Sequence, residues 1–161
     1  MGDDRVRVAY PLPEVLFRVV RPAGQIPSRA HRTDAGFDLH ATERVWLGNG
    51  PGSRIRSVGV IGTGVAVAIP EGHVGMVCSR SGLAAQGVIV ANAPGIIDPG
   101  YRGELKVILA NIGHGDTFTV RAGDRVAQLV IVPAPALEAV TVGEFPERTD
   151  RGTGGLGSTG R

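Results

Sequence analysis

Several short stretches of this sequence gather side chains suited to holding an anion and activating water. Ser79-Arg80-Ser81-Gly82 places two hydroxyls, a guanidinium and a glycine directly after the apolar run that ends at Cys78. Arginine makes charge-assisted hydrogen bonds to phosphate or carboxylate oxygens, and backbone N–H groups at a helix start favour the same charge. Taken alone, the stretch reads more simply as a helix N-cap beside a surface arginine. Residues 95–104 (GIIDPGYRGE) set Asp98 and Tyr101 three positions apart, where Pro99-Gly100 suits a type II turn between two strong strands. A plain hairpin tip is one reading of it. The other is a pocket wall, in which the carboxylate polarises water and the ring offers a flat apolar surface. Asp38 is an isolated acid in a strand-like run, where an unpaired carboxylate is seldom buried. Gln128 likewise interrupts the apolar run 126–132.

Other chemistries lack their residues. The sequence contains no G-x-x-x-x-G-K-[ST] loop and no G-x-S-x-G elbow. His31, His40, His73 and His114 show neither H-x-x-x-H nor H-E-x-x-H spacing, so each is expected on a surface or turn rather than in a transition-metal cluster. Cys78, the single cysteine, reads as a small core residue rather than a nucleophile, and it cannot form an internal disulfide. Scattered Asp, Arg, Ser, Gln and Gly suit a hard cation and phosphate oxygens better than covalent catalysis.

The elements that must position these groups are β-strands. The 25 Gly and 11 Pro repeatedly break short runs of Val, Ile and Leu. Strands are expected at 16–20, 36–41, 54–60, 64–69, 73–78, 88–92, 104–111, 116–120 and 125–133, with one short helix at 81–86. Pro70-Glu71-Gly72 is a turn signal, because proline presets φ and glycine tolerates φ > 0. The pattern implies an all-β jelly-roll-like barrel or sandwich occupying residues 1–148 as one domain. With 161 residues and 42% hydrophobic content, the chain can bury a sizeable core. The net charge is only +2, and no Lys/Arg run provides the basic stripe that duplex binding needs, so no nucleic-acid partner is expected. No apolar run approaches the roughly 20 residues that span a bilayer. The opening MGDDRVRVAY lacks the layout of a secretory signal, and a cytoplasmic location is expected.

Residues 149–161 (TDRGTGGLGSTGR) differ, with Leu156 their one sizeable apolar residue. Such a segment cannot offset its ordering entropy by burial, so alone it is a mobile tail. As a lid, its glycines would let backbone N–H groups crowd around phosphate oxygens.

In order along the chain, these clusters resemble the five motifs of the trimeric dUTP pyrophosphatase family. AGFDLHA (35–41) resembles the first, SRSGLA (79–84) the second, GIIDPGYRGE (95–104) the third, GDRVAQL (123–129) the fourth and RGTGGLGSTG (151–160) the fifth. The resemblance implies Mg2+-assisted hydrolysis of dUTP to dUMP and pyrophosphate. That reaction would limit uracil incorporation into DNA and supply dUMP for dTTP synthesis. It further implies that Asp98 deprotonates the water attacking the α-phosphorus and meets the sugar 3′-OH. Tyr101 would pack beneath the deoxyribose, where a 2′-OH would collide, and Asn92 would contact uracil. Arg80, Ser81, Gly82 and Gln128 would hold the α- and β-phosphates. Magnesium would be held mainly by substrate phosphates and waters, with Asp38 acting through water, while Arg125 supports the site. Arg151, Leu156, Gly157, Ser158 and Thr159 belong to an arm (149–161) that would close over a neighbouring subunit's site in a homotrimer.

Two positions depart from that pattern. Ser79 stands where proline is common, a change in loop rigidity. Leu156 stands where an aromatic ring usually stacks over uracil, and leucine forgoes ring–ring attraction of about 0.5–1.5 kcal/mol. Leu156→Phe is therefore expected to lower KM for dUTP several-fold in initial-rate measurements; an unchanged or raised KM counts against it. The S-R-S stretch also resembles dCTP deaminases, but these use a glutamate near the base where this chain has Asp98 and Tyr101. A nucleotide-sensing regulator on the same scaffold would have no need of Asp98.

Overall fold

Residues 14–48, 58–113, 117–147 and 149–153 are described in this computed structural model. Their strands are β1 (Leu16–Val19), β2 (Gly36–His40), β3 (Val45–Gly48), β4 (Val58–Ala68), β5 (His73–Cys78), β6 (Val88–Val90), β7 (Gly95–Ile97), β8 (Glu104–Asn111), β9 (Thr117–Val120) and β10 (Arg125–Pro133), with one helix, α1 (Ser81–Ala84), after β5. One sheet has the order β1-β4-β8-β6 and another β2-β10-β5-β7, while β3 and β9 pair separately. Every ladder is antiparallel.

Period-two burial explains the layering. In β8, Leu105, Val107 and Leu109 are buried while Lys106 between them is exposed. Ile61, Val67 and Leu109 of the first sheet meet Leu39, Val77 and Leu129 of the second and Leu47 and Val120 of the third in one cluster. This is the expected jelly-roll-like sandwich, held by a core drawn from distant parts of the chain.

The structure departs locally from the sequence pattern in several places. The strands expected at 54–60 and 64–69 meet in a single β4, with residues 54–57 outside the described set. Gly62-Thr63-Gly64 is no strand break: the β4–β8 register shifts between Gly62 and Ala66, and Gly64 takes φ +68°. β3 and β7 were not anticipated; at four and three residues they are too short to display alternation. Residues 98–103 do not cap a hairpin. β7 pairs with β5 in one sheet and β8 with β4 and β6 in the other, so this loop crosses between sheets. Within it Tyr101 N–H donates to the Asp98 carbonyl at 3.1 Å, but Gly100 has no positive φ, so the turn is not type II. The turn at Gly72, with φ +72°, is as expected, whereas the helix and the strand at 88 end sooner, at Ala84 and Val90.

Candidate active site

Asp38, Gln128 and Cys78 face one another across β2, β10 and β5. Beyond Cys78 the chain runs on extended through Arg80 into α1, and Ser79 fixes this link from both sides. Its hydroxyl accepts the Val90 N–H at 2.8 Å and its carbonyl accepts Gln128 Nε2 at 3.2 Å. A hydrogen bond to β6 thus stands where proline would have supplied stiffness. The Arg80 side chain reaches across the sheet, where its Nε donates to Asp38 Oδ1 at 3.1 Å and a terminal nitrogen donates to the Arg125 carbonyl at 3.3 Å. Arg125 donates to the other oxygen, Asp38 Oδ2, at 3.2 Å. One half-buried carboxylate therefore sets two guanidiniums side by side, leaving a net positive charge where their remaining donors can meet an anion.

Asp38, Arg80, Ser81, Gly82, Arg125 and Gln128 all line one cleft of about 390 Å³, with Ala30, Asp34, Ala35 and Gly36. Sequence stretches some ninety residues apart converge here because β2 and β5 both pair with β10. The near wall is held by the Asp38 N–H to the Ser28 carbonyl (2.9 Å) and by Asp34 Oδ2 accepting the His31 N–H (2.8 Å). Gly36 was not assigned a role from the sequence. A Cβ there would lie 2.6 Å from Gln128 Oε1, so glycine is what lets Gln128 lie against β2. Gly36→Ala should push that amide aside and lower kcat/KM about tenfold while the melting temperature falls only slightly; unchanged kinetics would contradict it.

Asp98 and Tyr101 line a different concavity of about 190 Å³ with Ile96, Ile97, Glu104 and Lys106, which shares no residue with the first. Tyr101 is 42% exposed, and its hydroxyl donates to the Glu104 carbonyl at 2.9 Å. Asn92, exposed after β6, lies beside the start of β7, where a Cβ on Gly95 would be 3.2 Å from its Nδ2. Arg151 is exposed in a turn closed by Gly152 N–H to the Thr149 carbonyl at 3.0 Å. Leu156, Gly157, Ser158 and Thr159 lie outside the described residues. Cys78 is half-buried, its thiol directed at the Met76 carbonyl 3.7 Å away.

His40 is not on a turn. It lies on β2, opposite Arg125, and its buried Nδ1 has no hydrogen-bond partner among the described residues. Burial lowers its pKa from the ordinary 6.5; Asp38 opposes that shift, and Arg125 and Arg80 add to it. A depressed imidazole favours the native state while neutral, so stability is complete above that ordinary value and falls as pH drops below it. His40→Gln should flatten this acid limb of melting temperature against pH. An unaltered limb would show that His40 does not cause it.

A family model described as dUTPase matches residues 23–160. The deoxyuridine 5′-triphosphate nucleotidohydrolase of Corynebacterium efficiens is 48% identical over 141 residues, covering 87% of this chain and 74% of that protein. The protein of the same name from Mycobacterium marinum is 49% identical over 144 residues, covering 86% and 90%. Among solved structures, the Staphylococcus bacteriophage 80alpha dUTPase with dUPNHPP superposes with a TM-score of 0.83 at 31% identity, covering 92% of this chain and 99% of that one. A dUTPase from phage phi11 of S. aureus, described with a structural Mg(II) ion, gives 0.72 at 31% identity over 83% and 99%.

Proposed function

The chain belongs to the dUTPase family, and on that premise we propose that it hydrolyses dUTP to dUMP and pyrophosphate through attack of water on the α-phosphorus. The observation that carries this reading is the pair of guanidiniums, Arg80 and Arg125, fixed by Asp38 in a cleft that also presents Ser81, Gly82 and Gln128. Phosphoryl chemistry depends on positioning and on neutralising oxygen charge, and such a cleft arrives pre-organised for both. Arg80, Ser81, Gly82 and Gln128 take the α- and β-phosphates. Arg125 holds Asp38 in place, and Arg151 and the arm beyond it close on the γ-phosphate. Asp98 holds the attacking water and takes its proton; Tyr101 lies beneath the deoxyribose, and Asn92 reads uracil.

No group of three or more His, Cys, Asp or Glu among the described residues could hold a metal ion by itself. Magnesium dehydrates reluctantly and often sits on substrate phosphates plus one or two carboxylates, so this donor set fits an ion carried by the nucleotide, with Asp38 reaching it through water. When bound, magnesium would supply neutralisation of phosphate charge.

The site is completed between chains of a homotrimer. Two observations support this: the Asp98–Tyr101 concavity is separate from the arginine cleft, and the stretch leading to the arm exposes large apolar side chains. Leu137 is 87% and Phe145 86% exposed, in a segment without strand pairing, as expected of a surface that another chain covers. The reaction would limit uracil incorporation into DNA and supply dUMP. No helix among the described residues is long and apolar enough to cross a membrane.

Purified protein with magnesium, offered dUTP, dTTP, dCTP and UTP separately, tests this reading. Pyrophosphate should appear at an appreciable rate with dUTP alone; ammonia released from dCTP would replace the reading by deamination.

A further inference from the structure

Glu104 closes the Asp98–Tyr101 loop but has no assigned part in the reaction. Its side chain is 11% exposed and both carboxylate oxygens are committed. Oε1 accepts the Gly64 N–H at 2.9 Å, and Oε2 meets a terminal nitrogen of Arg21 at 2.9 Å. The receiving pocket is the irregular part of β4, where Gly64 takes φ +68° and its carbonyl accepts the N–H groups of Val20 (2.8 Å) and Arg21 (3.2 Å). The room for this carboxylate is specific: a Cβ on Gly62 would lie 2.9 Å from Oε1. The irregularity in β4 thus serves as a socket for Glu104.

The backbone of the same residue holds the tyrosine. The Tyr101 hydroxyl donates to the Glu104 carbonyl at 2.9 Å. The end of the ring also lies close over Gly103, where a Cβ would be 2.5 Å from the hydroxyl and 2.7 Å from Cζ. The loop backbone has its own tether, since Arg102 donates to the carbonyls of Pro99 and Tyr101. Shifting Glu104 would therefore move the ring while leaving the Asp98 turn fastened.

We propose that Glu104 is a positioning residue for sugar selectivity: its side chain, socketed in β4, fixes its carbonyl and so the ring of Tyr101, which sets how severely a ribose 2′-OH is excluded. This rests on the proposed reading that Tyr101 lies under the sugar. Steric exclusion depends on where the wall stands, so a ring free to shift by a fraction of an ångström admits the larger sugar.

The test compares kcat/KM for dUTP and UTP, with melting temperatures, in the wild type, Glu104→Ala, Glu104→Gln and Gly103→Ala. Glu104→Ala should lower the dUTP/UTP ratio about tenfold, chiefly through a rise in KM for dUTP and a gain with UTP, with kcat for dUTP within about threefold of wild type. Glu104→Gln keeps an acceptor for the Gly64 N–H and should retain most of the ratio. Gly103→Ala displaces the ring without touching the socket, so it should lower the ratio with the melting temperature retained. A ratio unchanged in Gly103→Ala, or a lower melting temperature with the ratio unchanged in Glu104→Ala, overturns the inference. If Glu104→Ala does not fold, the Gln and Gly103 variants decide. A wild type that ignores dUTP would instead remove the underlying functional reading.

Discussion

Asp98→Asn should lower dUTP turnover about a thousandfold, the middle of the range for loss of a general base, while the affinity for a non-hydrolysable dUTP analogue stays within about threefold of wild type. The amide has the size of the carboxylate and keeps an oxygen able to accept from the sugar 3′-OH, so ground-state contacts survive. What it lacks is basicity towards water. The loop itself does not depend on that side chain: its turn is closed by the Tyr101 N–H on the Asp98 carbonyl, and Arg102 donates to the carbonyls on either side of Gly100. A fall in binding parallel to the fall in rate would assign Asp98 to substrate capture. A rate within about tenfold of wild type would remove it from proton transfer altogether.

Mixing two inactive proteins should restore activity. Arg80→Ala removes the guanidinium bonded to Asp38 and facing the arginine cleft, and loss of such a preorganised donor costs about a hundred- to a thousandfold. Asp98→Asn spoils the other concavity. If each site takes Asp98 from one chain and Arg80 from another, an equal mixture of the two variants, unfolded and refolded together, assembles roughly one quarter of its sites with both native residues. Activity should return to about that fraction of wild type, far above either variant alone. A mixture no more active than its components would mean that each chain builds its own site.

Asp38, Arg80 and Gln128 stand out in the sequence because phosphate chemistry demands such side chains and each interrupts an apolar strand or follows one. Their convergence was not legible. It depends on β2 and β5 both pairing with β10, a long-range choice that no local spacing records. The same limit explains the misplaced hairpin: flanking strands with a Pro-Gly turn suggest pairing, yet β7 and β8 take partners in different sheets. Gly62-Thr63-Gly64 looked like a break because glycine is rare inside strands, and its reason, room for Glu104 and a positive φ, lies forty residues away. The spacing of His40 suits no metal cluster and so points to a surface or turn; burial of its Nδ1 follows from its place on β2, two residues from Asp38 and opposite Arg125. Gly36 and Ser79 belonged to quoted motifs, but their work is done through contacts with Gln128 and Val90 that spacing does not show.

The most direct measurement follows the oxygen. Hydrolysis of dUTP in water enriched in heavy oxygen, followed by mass analysis of both products, reports which phosphorus is attacked. Water directed by Asp98 at the innermost phosphorus should place the label in dUMP and none in pyrophosphate. Label in the pyrophosphate would mean attack at the β-phosphorus and would contradict the assignment of Asp98 and the arginine cleft to this reaction.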